Sequence, residues 1–334
     1  MQKSLPNPPP TKKIKRTYSI DQSALYKIAS MKRLASLIGL PRGKLLRIAG
    51  GAHKYKTFVL PEEKCPFTGK VRKSRKVEEP INELRYIHER IHALLCKVDH
   101  PEYAHGAVKG RSYRSNALAH VESQSLATFD MREFYPSTSE SRVYTFWVEQ
   151  MCCAPDLANV LAKLICYKGR LATGSPVSPL VSLYANKPMF DELSRIALSR
   201  NLKFTCYIDD ITFSGQNLPR NFEQWIASIV GRYGHALSEK KTRFFRSEQA
   251  KHITGAIIKD GLVTAPHSRF QKMRLIGSAL RQVKDFNLRK SLLRRQAGLI
   301  AEIAYLDKSF SAMAESANQQ FRDLRVKAAT DIVD

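Results

Sequence analysis

The 334-residue sequence is 43% hydrophobic and carries 55 Lys and Arg against 30 Asp and Glu, a formal charge of +25. With a pI near 9.9, this composition implies a polyanionic partner, nucleic acid first, because Lys and Arg gain most from phosphates. The absence of an 18-residue apolar run and of a signal-peptide opening argues against a membrane and for a cytoplasmic protein. Six cysteines without CxxC or zinc-type spacing argue against a zinc site or a disulfide framework.

Residues 1–20, rich in Pro, Lys and Arg, are expected to form a basic flexible tail. Leu25, Ile28, Met31, Leu34, Leu37 and Ile38 recur at helical spacing and predict a helix from Asp21, its N-cap, to Leu40. The alternation over 44–60 predicts strands. A turn and a basic extended segment follow over 64–77, and Pro80 opens a helix to Leu95 with Leu84, Ile87, Ile91 and Leu94 on one face. Leu126–Phe129 reads as a strand ending at Asp130, and helical pattern resumes near Ser139. Residues 203–215 (KFTCYIDDITFSG) read as a tight hairpin around Ile208-Asp209-Asp210. Residues 266–334 are mostly helical and basic.

An isolated Asp-Asp pair is ordinary turn chemistry. At a hairpin tip, however, Asp209 and Asp210 can face one site, where bare carboxylates repel and a divalent cation relieves the repulsion. Asp130, at the end of another strand, supplies a third carboxylate, enough to hold two metals for in-line phosphoryl transfer.

Tyr207-Ile208-Asp209-Asp210 resembles the YxDD signature of reverse transcriptases, and Phe129-Asp130 through Ser137 resembles the motif carrying their other metal-binding aspartate. The resemblance covers roughly residues 65–300. It implies an α+β right-hand polymerase, with an N-terminal helical extension, fingers and palm over 21–265 and a helical thumb over 266–334. It also implies that Asp130, Asp209 and Asp210 are the catalytic ligands of two Mg²⁺ ions.

Tyr135 matches an aromatic that packs under the incoming sugar and excludes a 2′-OH, favouring deoxynucleotides. Ala172–Pro179 resembles the QGxxxSP loop that supports template and incoming base. Thr173 stands where Gln is usual and offers only a hydroxyl, while Gly174 still permits close backbone approach. Lys73 and Arg75, placed on one face by strand alternation, are the expected triphosphate ligands. Lys241, in Ser238-Glu239-Lys240-Lys241-Thr242, is expected near the leaving pyrophosphate.

Asn116-Ala117-Leu118-Ala119-His120 matches the NAxxH motif of bacterial retron reverse transcriptases, and Ile253-Thr254-Gly255 resembles their VTG motif. A histidine on a helix is commonly a packed one. The retron resemblance implies RNA-binding roles for Asn116, His120, Ile253, Thr254 and Gly255. It further implies recognition of a structured noncoding RNA, priming from a 2′-OH, and a branched RNA–DNA product made from dNTPs. A separate effector protein and a role in anti-phage defence complete that expectation. The chain is short for a large fused effector. Rival readings are a group II intron or diversity-generating reverse transcriptase, against which Asn116 and His120 and the lack of a long maturase extension count, and a nucleic-acid-binding scaffold.

Overall fold

The computed structural model describes residues 17–51 and 55–330, with side chains to 323. Residues 1–16 of the expected tail lie outside the described residues. At its end, Tyr18 pairs with the chain at Val98, with Asp99 N–H donating to the Tyr18 carbonyl at 2.8 Å.

The expected helix from Asp21 begins ten residues later, as α1 (Met31–Ile38), capped by the Ser30 hydroxyl. Leu25 and Ile28 are buried as the spacing required. However, Lys27 has a positive φ of 51°, and the backbone on either side bonds elsewhere: Lys27 N–H to the Met151 carbonyl and Ala154 N–H to the Ile28 carbonyl. Tertiary bonds override the local pattern there.

Residues 44–50 are also not strand. Leu45 and Ile48, three apart, bury one face of α2 (Arg42–Gly50), and only β1 (Tyr55–Leu60) meets the extended expectation. β2 (Glu63–Lys64) and β3 (Val71–Arg72) pair across a turn, and β4 (Arg75–Pro80) returns along β1. The amphipathic helix α3 (Asn82–Leu95) buries Leu84, Ile87, Ile91 and Leu94 as expected. A short helix α4 (Tyr113–Leu118) is closed by a Ser112–Ser115 capping box.

The central sheet starts with β5 (Ser125–Asp130). After α5 (Phe134–Ser137), α6 (Glu140–Thr145), a π-helical turn (Phe146–Gln150) and α7 (Pro155–Ile165), a small hairpin pairs β6 (Cys166–Tyr167) with β7 (Arg170–Leu171). Helices α8 (Ser178–Ala185) and α9 (Lys187–Leu198) lead to β8 (Lys203–Tyr207) and β9 (Asp210–Gly215), followed by α10 (Phe222–Arg232) and β10 (Arg243–Phe245). The sheet order is β10-β5-β9-β8, all antiparallel. One large apolar cluster packs against it, including Phe129, Trp147, Phe190, Ile211 and Phe213. Truncating one of its aromatics to Ala costs about 3–5 kcal/mol.

A three-stranded meander, β11 (Lys251–Ile253), β12 (Ala256–Lys259) and β13 (Leu262–Thr264), precedes three long helices, α11 (His267–Gln282), α12 (Phe286–Leu306) and α13 (Ser311–Thr330). A second apolar cluster, Ala117, Leu126, Ile253, Ile258, Ile303 and Leu306 among it, joins α4, β5, the meander and α12. The architecture is therefore mixed helix and strand. Among the described residues no helix is long and apolar enough to cross a membrane.

Candidate active site

The acidic residues are assembled by strand register. Asp130 ends β5 directly opposite Asp210, the first residue of β9, so both side chains share one face. Asp209 belongs to the two-residue turn Ile208-Asp209 between β8 and β9. Ile208 takes a φ of 62°, costly for a β-branched residue. The turn is held from both sides. Met131 N–H donates to the Asp209 carbonyl at 3.0 Å, and His105 N–H donates to the Cys206 carbonyl at 2.8 Å. Gly106 lies so close that a Cβ there would sit 2.6 Å from the Ile208 nitrogen. Only glycine fits, and that contact is absent from every motif in the sequence.

The three carboxylates are crowded and poorly hydrated. Burial first, then Asp209 and Asp130, pushes the Asp210 carboxyl up to about 7. Burial likewise raises Asp209, partly offset by its own backbone N–H and by Lys241. Lys241, on a 3₁₀ turn (Glu239–Lys241), places its ammonium 2.9 and 2.7 Å from the two Asp130 oxygens. Ser238 N–H donates to the Asp130 carbonyl at 2.8 Å, which fixes that turn beside β5.

Among the described residues no three His, Cys, Asp or Glu side chains form a ready metal cage. The donor chemistry nonetheless fits a hard divalent ion: three oxygen ligands, a charge left unbalanced at Asp209 and Asp210, and a cation already drawn to Asp130.

A cavity of about 810 Å³ opens over Asp130 and Asp209, lined among others by Arg75, Lys76, Glu78, Tyr135, Arg170, Thr173 and Lys241. Tyr135 projects from α5. Burial, then the Asp209 charge, raises its phenol above the ordinary value. A buried polar chain underlies that helix: Ser137 Oγ meets His235 Nδ1 at 2.7 Å, and His235 Nε2 meets Asn186 Oδ1 at 2.7 Å. Burial lowers the His235 pKa to about 4, so the ring is neutral.

Of the two expected triphosphate ligands, Arg75 lines the cavity and Lys73 does not. Lys73 lies in the gap between β3 and β4, where strand alternation does not run. Lys76 and Arg170, which the sequence reading passed over, line the cavity instead. Gly174 does not face open space. A Cβ there would sit 2.8 Å from Val77 Cγ1 and 2.9 Å from the Glu78 carbonyl oxygen.

The NAxxH and Ile-Thr-Gly segments meet. Asn116 is fully buried and donates from Nδ2 to Thr254 Oγ1 at 3.0 Å. Thr254 and Gly255 form the β11–β12 turn with φ of 44° and 84°, both left-handed, as a type I′ turn requires. His120 is fully buried against β8 and β9, its nitrogens 2.6 Å from Ser214 Oγ and 2.7 Å from Thr205 Oγ1. Burial lowers its pKa to about 3. Asn116, His120 and Ile253 thus have no surface to offer an RNA in this conformation, whereas Thr254 and Gly255 do. His120 takes the packed role expected of it, but from the turn that follows α4 rather than from a helix.

No family model matches the sequence. Curated relatives do. The retron Se72 reverse transcriptase of Salmonella heidelberg is 26% identical over 300 residues, 84% of this chain and 76% of that protein. The retron Ec86 reverse transcriptase of Escherichia coli is 26% identical over 62% of this chain and 65% of its own length. The retron Mx65 reverse transcriptase of Myxococcus xanthus is 27% identical over 66% of this chain and 54% of its own. On these matches, the chain is similar to the retron reverse transcriptases.

Proposed function

We propose that this chain is a retron reverse transcriptase, an RNA-directed DNA polymerase that copies part of a structured noncoding RNA into a branched RNA–DNA hybrid. The observation that carries the reading is the carboxylate group of Asp130, Asp209 and Asp210 under a basic cavity, on a chain similar to those enzymes. In this reading residues 1–20 are a basic tail, 21–265 form fingers and palm, and 266–334 form a thumb.

Asp130, Asp209 and Asp210 would hold two Mg²⁺ ions. When bound, such ions make an attacking hydroxyl a better nucleophile and neutralise charge on the leaving pyrophosphate. Tyr135 sits under the sugar and excludes the 2′-OH of ribonucleotides. Arg75 and Lys76 face the triphosphate, and Lys241 exchanges Asp130 for the pyrophosphate. Arg274, Arg281, Arg289, Arg294 and Arg295 are exposed on α11 and α12, and Lys284 on the link between them, and together they suit the backbone of an A-form-like duplex. Thr254 and Gly255 present the turn available to RNA, with Asn116, His120 and Ile253 supporting it from below. A cytoplasmic setting, an effector protein and a part in anti-phage defence complete the proposal.

The test is the nucleic acid that co-purifies with the expressed protein and its native locus. A species shortened by RNase and separately by DNase supports the hybrid. Pure RNA, or no nucleic acid, counts against it.

A further inference from the structure

Among the described residues strand β4 pairs only with β1, so its other edge needs partners from elsewhere. The loop before α8 supplies them. Gly174 N–H donates to the Glu78 carbonyl at 3.0 Å. The Thr173 hydroxyl accepts from Glu78 N–H at 3.2 Å and donates to the Lys76 carbonyl at 3.2 Å. One oxygen therefore does the work of a peptide unit on the strand edge, because a hydroxyl both accepts and donates.

The close approach of Gly174 to Val77 and Glu78 brings residue 173 near enough for so short a side chain to reach. A glutamine carries its polar atoms two carbons further out, past the gap between the Glu78 N–H and the Lys76 carbonyl. The threonine that departs from the family loop thus has a place in the fold.

The same seam continues inward. Glu78 is 1% exposed, and its carboxylate takes both Arg170 nitrogens, at 2.9 and 3.2 Å. Leu171 N–H donates to the Thr138 carbonyl at 3.1 Å, and Glu140 N–H to the Gly169 carbonyl at 2.8 Å. Thr138 follows directly on α5, which carries Tyr135, and Glu140 opens α6 just beyond it. A continuous run of bonds links β4 to the floor of the cavity.

We propose that Thr173 is a positioning residue that holds β4, and with it Arg75 and Lys76, over the carboxylates, and so sets affinity for the triphosphate of the incoming nucleotide. The inference rests on the polymerase reading and deepens it.

The experiment is steady-state DNA synthesis on the co-purified RNA by wild type, Thr173→Val, Thr173→Ser and Thr173→Gln, with thermal unfolding of each. Thr173→Val keeps the shape and removes both bonds. We expect its KM for dNTP to rise about tenfold, with kcat within about twofold of wild type and an unfolding midpoint little changed. Thr173→Ser should restore the wild-type KM, and Thr173→Gln should behave as the valine variant. A wild-type KM in Thr173→Val, or in Thr173→Gln, overturns the assignment. So does a loss confined to kcat that follows a lowered midpoint, which would mark a merely structural role. Absence of synthesis by wild type would instead defeat the polymerase reading itself.

Discussion

The cavity beside β5 and the seam around α4 both bury polar groups, but they settle the cost in opposite ways. At the cavity, Asp209 and Asp210 are desolvated beside each other, the Ile208 turn is strained, and one lysine serves Asp130. At the seam, Asn116, His120, Thr205, Ser214 and Thr254 are neutral, and four hydroxyl-centred bonds join α4, the catalytic hairpin and the meander. Unbalanced charge marks a place waiting for a ligand. Neutral groups bonded to one another mark a place that holds a shape. In the proposed reading, the motif residues therefore divide between chemistry and support.

The sharpest way to probe the cavity side is sugar selection. Tyr135→Ala should raise ribonucleotide use relative to deoxynucleotide use by about a hundredfold, read by primer extension with each nucleotide pool. Unchanged selection would remove Tyr135 from the floor of the nucleotide site.

On the seam side, His120→Ala leaves the Thr205 and Ser214 hydroxyls without the ring and should cost about 2 kcal/mol in denaturant unfolding. If activity fell and stability did not, His120 would belong with the chemistry instead.

Acid should separate the regions further. His88 and His120 are fully buried and titrate at about 4 and about 3 in the fold, against an ordinary value of 6.5, chiefly through burial. Between those values and 6.5 the unfolded chain binds more protons, so stability is full above pH 6.5 and falls as pH drops below it. From pH 7 to 5 each ring should remove about 2 kcal/mol. His120→Gln should flatten the unfolding profile by that amount, and an unchanged slope would mean that the ring accepts a proton while folded.

The smallest expected effect is at Asn116→Ala, about 1 kcal/mol, because one donor is lost while a carbonyl oxygen that already lacks a partner goes with it. A much larger loss would show that the Thr254 turn depends on the amide.

These contrasts also show what was readable in the residues. The hairpin and β5 were legible because β-branched and aromatic runs flank the acidic pair, and register then places Asp210 against Asp130 without further information. α3 was legible from its spacing. Asn116 and Thr254, however, are 138 positions apart, and Glu78 and Arg170 are 92 apart. No local pattern encodes such pairs. Residues 44–50 read as extended because the stretch is too short for the helical spacing of Leu45 and Ile48, three apart, to stand out. Lys73 was misplaced because a two-residue strand ends before it. The threonine at 173 became intelligible only once β4 lay beside it.

The most direct test of the central claim is incorporation of labelled dNTP by purified protein on its own co-purified RNA, with Mg²⁺, by wild type and by Asp209→Asn/Asp210→Asn. The account predicts RNA-templated DNA from wild type and a loss of at least about a thousandfold in the double variant. DNA synthesis that survived both substitutions would contradict it.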